Sequence, residues 1–226
     1  MSYTKRTPPR FLMKVWDAPT RLFHWAVTLL VLFSYVSVKR NWVELHYLSG
    51  YTLLTLLLFR LVWGFVGSDT SRFGNFVRSP VEGLRHLAKF GTREPDTEIG
   101  HNAAGGWMVL ALLAVLWLQV LSGLFQADPD DGVYGPLSHY ISDERSHWLI
   151  GFHGTNFWVI VGFIALHVLA VAAYYAVKRQ NLLWPMITGR KRLPGNMRQP
   201  RMASPLLALL VVLVAAGCVW ALVRYA

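Results

Sequence analysis

Four of the eight histidines, His24, His46, His153 and His167, lie in or at the ends of long apolar runs. An ionisable side chain at such depth is expensive and usually has a partner. A neutral imidazole nitrogen is also the commonest metal ligand a protein offers. His153 and His167 stand fourteen positions apart in one run. On a helix that spacing returns to within roughly 40° of the same face, about 21 Å along the axis. One helix would then offer two ligands to one side, near its two ends. No cysteine or carboxylate accompanies the four in these runs, so zinc is poorly served. Two imidazoles from facing helices are what a b-type haem takes. The lone cysteine, Cys218, sits in an apolar run, and no Cys-x-x-Cys-His is present. A disulfide framework, a Cys-rich zinc site and covalent c-type attachment are thereby excluded.

The elements that must position these histidines are membrane spans. The chain is 54% hydrophobic and only 15% charged, with apolar stretches at about 22–38, 47–67, 105–125, 148–177 and 205–223. Backbone in lipid must satisfy its own hydrogen bonds, so runs of this length read as helices. Asp17 is placed to cap the first and Pro19 is tolerated in its first turn, so that helix can begin earlier. A basic segment before an apolar run also fits a signal peptide, but no small-residue cleavage site follows it.

The net charge of +10 is distributed as a topology signal rather than as a nucleic-acid footprint. The N-terminal tail holds Lys5, Arg6, Arg10, Lys14 and Arg21. The second-to-third connection holds Arg72, Arg78, Arg85, Lys89 and Arg93, and the fourth-to-fifth holds Lys178, Arg179, Arg190, Lys191, Arg192, Arg198 and Arg201. The opposite side carries only Lys39, Arg40, Arg145 and Arg224. Seventeen against four puts the N-terminus in the cytoplasm and the C-terminus outside, as in a multi-pass protein of the bacterial inner membrane. Basic loops at that surface meet anionic membrane lipid.

This topology pairs the histidines by level, His46 with His153 on the outer side and His24 with His167 on the cytoplasmic side. Each histidine taken alone reads more readily as an interfacial residue than as a ligand; the pairing is what favours two bis-histidine haem sites. Arg60, fourteen residues after His46, shares that ligand's face. It either meets a propionate of the cytoplasmic haem or snorkels to the interface beside Trp63. Arg21, one turn before His24, has the same option or pairs with Asp17. His86, His101, His139 and His147 fall in connections and read as surface residues, His147 being close enough to His153 to replace it. Gly50, Gly123 and Gly162 allow a macrocycle or a neighbouring helix to come close. Ser79-Pro80-Val81-Glu82 has the form of a capping box, with Val81, Leu84, Leu87 and Ala88 on one face. It reads as a short helix on the cytoplasmic membrane surface or as a solvated linker. The outer connection carries Asp128, Asp130, Asp131, Asp143 and Glu144 against Arg145, which suits a basic docking partner or simply solubility.

Several motifs together resemble the prokaryotic cytochrome b561 family, related to the cytochrome b subunit of nickel–iron hydrogenases. They are the run from Val15-Trp16-Asp17 to Phe23-His24-Trp25, Glu44-Leu45-His46 with Gly50-Tyr51, and Arg60-Leu61-Val62-Trp63-Gly64-Phe65-Val66-Gly67. Gly100-His101-Asn102 with Gly105-Gly106, and Ile187-Thr188-Gly189-Arg190-Lys191-Arg192, complete the set, which spans roughly 14–192. The resemblance implies an all-α integral membrane protein, a four-helix transmembrane bundle holding two b haems with His24, His46, His153 and His167 as iron ligands. It implies electron exchange between quinone and a redox partner in a respiratory chain, such as a periplasmic cytochrome c or another redox subunit. Ala103 stands where the family pattern has proline. A fifth C-terminal transmembrane helix, in 204–226, lies beyond the di-haem domain of 1–203. A second reading is a superoxide:quinone oxidoreductase acting at the outer haem, with Lys39 and Arg40 steering the anion. A third is a non-redox transporter using membrane histidines as proton relays. No nucleophile–base pair and no phosphate-cradling glycine loop is present.

Overall fold

The computed structural model describes residues 9–91, 98–130 and 132–226. Lys5, Arg6, Arg93 and Asp131, which enter the charge arguments above, lie outside the described residues. A short strand β1 (Arg10–Lys14) leads into α1 (Ala18–Lys39), and α2 (Val43–Val66) returns. Two short helices follow, α3 (Phe73–Phe76) and α4 (Pro80–Ala88), then α5 (Ala103–Phe125). A small hairpin of β2 (Ala127–Asp128) and β3 (Val133–Tyr134) precedes the long α6 (Asp143–Lys178). The chain closes with α7 (Leu183–Thr188), β4 (Arg190–Pro194) and α8 (Pro205–Tyr225). Five of these helices, α1, α2, α5, α6 and α8, are long and apolar enough to cross a membrane.

The helices begin where side chains can satisfy their free N–H groups. Asp17 Oδ1 accepts from Thr20 N at 2.7 Å, so α1 starts four residues earlier than its apolar run. Asn102 caps α5 through Gly105 N at 2.8 Å, and Ser204 caps α8 through Leu206 N at 3.2 Å. Asp17 does more than cap. Its Oδ2 accepts from Trp63 Nε1 at 3.2 Å and from Ser71 Oγ at 3.3 Å, riveting the start of α1 to the end of α2. The carboxylate is buried, 2% exposed. Asp17→Ala removes a cap and strands two donors, so it should cost about 3 kcal/mol. Chemical unfolding of the detergent-solubilised protein measures this; a loss below about 1 kcal/mol would mean that the rivet is dispensable.

The β1–β4 pair lies at the end of the bundle where α1 begins, called proximal below; the β2–β3 hairpin marks the distal end. Val15 N and Trp16 N both donate to Gly189 O, tying the chain's start to the turn after α7. Gly189 has φ +78, and a Cβ there would meet Trp16 O at 2.7 Å. The surface helix is present: Ser79 Oγ accepts from Glu82 N at 3.3 Å, and Val81, Leu84 and Leu87 are all exposed.

One apolar cluster joins the five spans: Val27 from α1, Leu57 from α2, Leu116 from α5, Ile160 from α6 and Val219 from α8. The helices do not pack evenly around it. The central α2 lies against α1, α5 and α8, whereas α6 lies against α5. Between α6 and the α1–α2 pair there is little direct packing, apart from touches such as the stacked rings of Tyr35 and Phe157, 5.1 Å apart. A slit therefore runs along α6, and it is there that the histidines meet.

Candidate functional site

Two histidine pairs bridge the slit. At the proximal end His24 of α1 faces His167 of α6, with ring centroids 6.3 Å apart. At the distal end His46 of α2 faces His153 of α6, with centroids 6.2 Å apart. All four rings are half-buried. An imidazole–metal bond is about 2 Å and a ring nitrogen lies about 1 Å from its centroid, so two imidazoles sharing one ion set their centroids roughly 6 Å apart. Both pairs have that spacing. Among the described residues, no group of three or more His, Cys, Asp or Glu side chains is placed to hold a metal ion. The donor set is thus two imidazoles and an open slit between them, which fits a planar macrocycle supplying the other ligands to its iron.

The distal pair is fixed by its second neighbours. His46 Nδ1 lies 3.2 Å from Ser34 O and 3.3 Å from Ser37 Oγ, whose own proton goes to Ser34 O at 2.8 Å. A carbonyl only accepts, so Nδ1 carries the proton and Nε2 keeps its lone pair. His153 Nδ1 lies 3.0 Å from Ser122 Oγ, and Ser122 donates to Gln119 O at 2.9 Å, which gives the same tautomer. Gln119 Nε2 donates to His153 O at 3.1 Å and its Oε1 accepts from buried Asn156 Nδ2 at 2.7 Å. Orienting acceptors of this kind are characteristic of metal-binding histidines. Gly123 belongs to the same device: a Cβ there would sit 3.1 Å from His153 Cε1. Gly50 and Gly162 have nothing within 4 Å of where a Cβ would be.

The proximal pair is set differently. His24 Nδ1 is buried without a hydrogen-bond partner among the described residues, and so is Arg60 Nη1. Arg60 does not snorkel: it is 3% exposed and its guanidinium lies over the Phe73 ring, 4.7 Å from the centroid. Gly64 makes the room, because a Cβ there would overlap Phe73. Arg21 does not meet the Asp17 carboxylate. It donates to the carbonyls of Asp17 and Ile187, tying α1 to α7.

The connection histidines divide. His139 and His147 are exposed, and it is His153 whose ring faces His46. His86 is not a free surface residue, since its Nε2 lies 2.7 Å from Tyr174 Oη. His101 is the residue that a sequence reading misplaces at the surface. Its Nδ1 is buried without a partner among the described residues, and its ring packs between Trp16 at 4.7 Å and Phe76 at 4.9 Å. Burial, then the nearby charges of Arg60, His167 and His24, pushes its pKa down to about 3, so the ring is neutral at physiological pH. The available signal was Asn102 as helix cap, which fixes the residue before it at the mouth of α5.

A family model described as prokaryotic cytochrome b561 matches residues 15–189, which include all four paired histidines, Arg60 and His101. The chain belongs to that family. As a member of the cytochrome b561 family it is a multi-pass bacterial membrane protein that binds b-type haem and carries electrons. It is similar to a protein named probable Ni/Fe-hydrogenase B-type cytochrome subunit from Rhodobacter capsulatus, 23% identical over 215 residues, covering 78% of this chain and 80% of the relative. A protein of the same name from Azotobacter chroococcum mcd 1 is 26% identical over 214 residues, covering 77% of this chain and 86% of the relative. A relative from Escherichia coli K12, named for Ni/Fe-hydrogenase 1, is 21% identical over 210 residues, covering 77% and 88%. No solved structure matches the cytochrome significantly. Helix α8 lies beyond the matched residues but is packed onto α2 through Ala208, Ala215 and Val219.

Proposed function

We propose that this cytochrome carries electrons across the bacterial inner membrane through two b-type haems, between the quinone pool and a redox partner on the outer side. The observation that carries the reading is the pair of facing imidazoles at 6.3 and 6.2 Å, both completed from the one helix α6. His24 and His167 would hold the proximal haem, and His46 and His153 the distal one. Each haem, when bound, supplies a one-electron carrier whose potential follows from its axial ligands, burial and nearby charge. The chain's own residues do the positioning: Ser34, Ser37 and Ser122 orient the distal ligands, and Arg60 holds an uncommitted nitrogen toward the proximal site.

The charge bias of the connections supports a proximal end in the cytoplasm and a C-terminus outside, so proximal is inner and distal is outer. The relatives are named as cytochrome subunits of Ni/Fe-hydrogenases, which favours an outer partner of that kind, with a periplasmic cytochrome c the other candidate. The division into a di-haem unit of 1–203 and an added helix in 204–226 belongs to the same proposal. Purified protein should contain about two haems b per chain. A pyridine haemochrome assay measures it, and one haem or none per chain overturns the two-haem reading.

A further inference from the structure

We propose that His101 binds the carboxylate edge of the inner haem, forming with Arg60 a two-point receptor for its propionates. The proposal rests on the two-haem reading above. It starts from where unsatisfied groups gather. Among the described residues, three buried side-chain atoms have no hydrogen-bond partner: His24 Nδ1, Arg60 Nη1 and His101 Nδ1. Arg60 and His101 are joined through two rings: Arg60 lies over Phe73, Phe73 packs on Phe76 and Phe76 on His101, while His24 and His167 are near enough to act on His101 electrostatically. Leaving a buried donor unpaired is costly, and a buried charge without a counter-ion more so. A fold that gathers such groups in one place is shaped for something that satisfies them together.

The chemistry of the orphans says what that is. A guanidinium only donates, so its partner must accept, and its charge calls for an anion. The carboxylate that acts on Arg60 is Asp17, and both its oxygens are engaged by Thr20 N, Trp63 Nε1 and Ser71 Oγ. Asp17 is thus committed, and an anion supplied by a ligand would meet the guanidinium. His101 is neutral and adds one N–H without a second positive charge. One cation beside one neutral donor matches carboxylates, and haem b carries two on a single edge.

Both donors are held rather than free to search. His101 is wedged between Trp16 and Phe76, and the cap of Asn102 fixes its backbone. Gly100 lies against Thr70, where a Cβ would be 3.5 Å from the threonine methyl. Arg60 is pinned over Phe73. His101 also lines an open cavity of about 640 Å³ with Asp69, Arg78, Arg198 and Arg201. The receptor thus lies between the slit and the proximal surface, where the acidic edge of a macrocycle would be directed.

Two substitutions in the full chain separate this role from mere packing. His101→Phe keeps an aromatic ring between Trp16 and Phe76 but loses the donor; His101→Gln keeps a donor and loses the ring. The protein is purified in detergent with its native haem. Redox titration reads the two midpoint potentials, and resonance Raman reads the propionate bending bands. In His101→Phe the inner haem should fall in potential and its propionate band should shift, with the outer haem unmoved; His101→Gln should stay close to wild type in both. Comparison with His24→Ala assigns the inner haem. If His101→Phe is indistinguishable from wild type, or His101→Gln alone is perturbed, the proposal is overturned and His101 is a packing residue. A wild-type protein holding fewer than two haems would instead overturn the two-haem reading, independently of these variants.

Discussion

His167→Ala should empty the inner haem site and leave the outer haem with an unchanged low-spin spectrum, and His46→Ala should do the reverse. Each pair draws one ligand from α6 and the other from a different helix, His24 on α1 or His46 on α2. The two α6 ligands are separated by about 21 Å, far enough for the sites to lose their ligands independently. Removing one imidazole would take away half of the donors the chain offers at that site, so haem retention should fall by far more than the tenfold to hundredfold typical of second-neighbour changes. His24→Ala should reproduce His167→Ala, because the same haem loses its other face. Haem content per chain with a low-temperature α-band spectrum decides it. A variant that keeps both haems, or loses both, would break the assignment of ligands by level.

The second large expectation is a difference in potential between the haems, with the outer one lower. Both outer ligands donate Nδ1–H, His46 to Ser34 O and His153 to Ser122 Oγ. That donation makes the imidazole a stronger electron donor and favours ferric iron. His24 has no such partner, and buried Arg60 adds positive charge that favours ferrous iron at the inner site. A redox titration should therefore resolve two steps, the inner haem being reduced first, and Ser122→Ala should raise the lower step toward the upper. The gradient would set an electron donor outside and an acceptor inside. Two coincident midpoints, or an outer haem that is reduced first, would count against it.

How much of this was legible in the sequence depended on what fixes each residue. That the four histidines face one another in two pairs was legible, because bilayer thickness sets span length and helix periodicity sets face; together these place a residue in depth and direction. Asp17 as a cap was legible for the same local reason. Arg60 was half legible: its spacing from His46 gave a face, but not that Phe73 and Gly64 would bury it. His101 was illegible, because its burial depends on Trp16, eighty-five residues earlier, returning to its side under the β1–β4 pair. Arg21 was half legible: its tie to Asp17 is local, through the carbonyl, but its second partner, the Ile187 carbonyl, is distant in sequence.

The uneven packing of α6 has a consequence for how this cytochrome is made. Helices α1 and α2 leave the ribosome first and pack on each other, yet neither can complete a haem site until α6 has followed them into the membrane. On the two-haem reading, cofactor loading would be a late event in biogenesis, after insertion rather than during it, with both proposed sites waiting on the same segment. Because ligand that binds only the native state stabilises it by mass action, the loaded slit would clamp α6 to the rest of the bundle. Haem supply then acts as quality control: a chain starved of it keeps α6 tethered mainly through α5 and should be the form that membrane proteases remove.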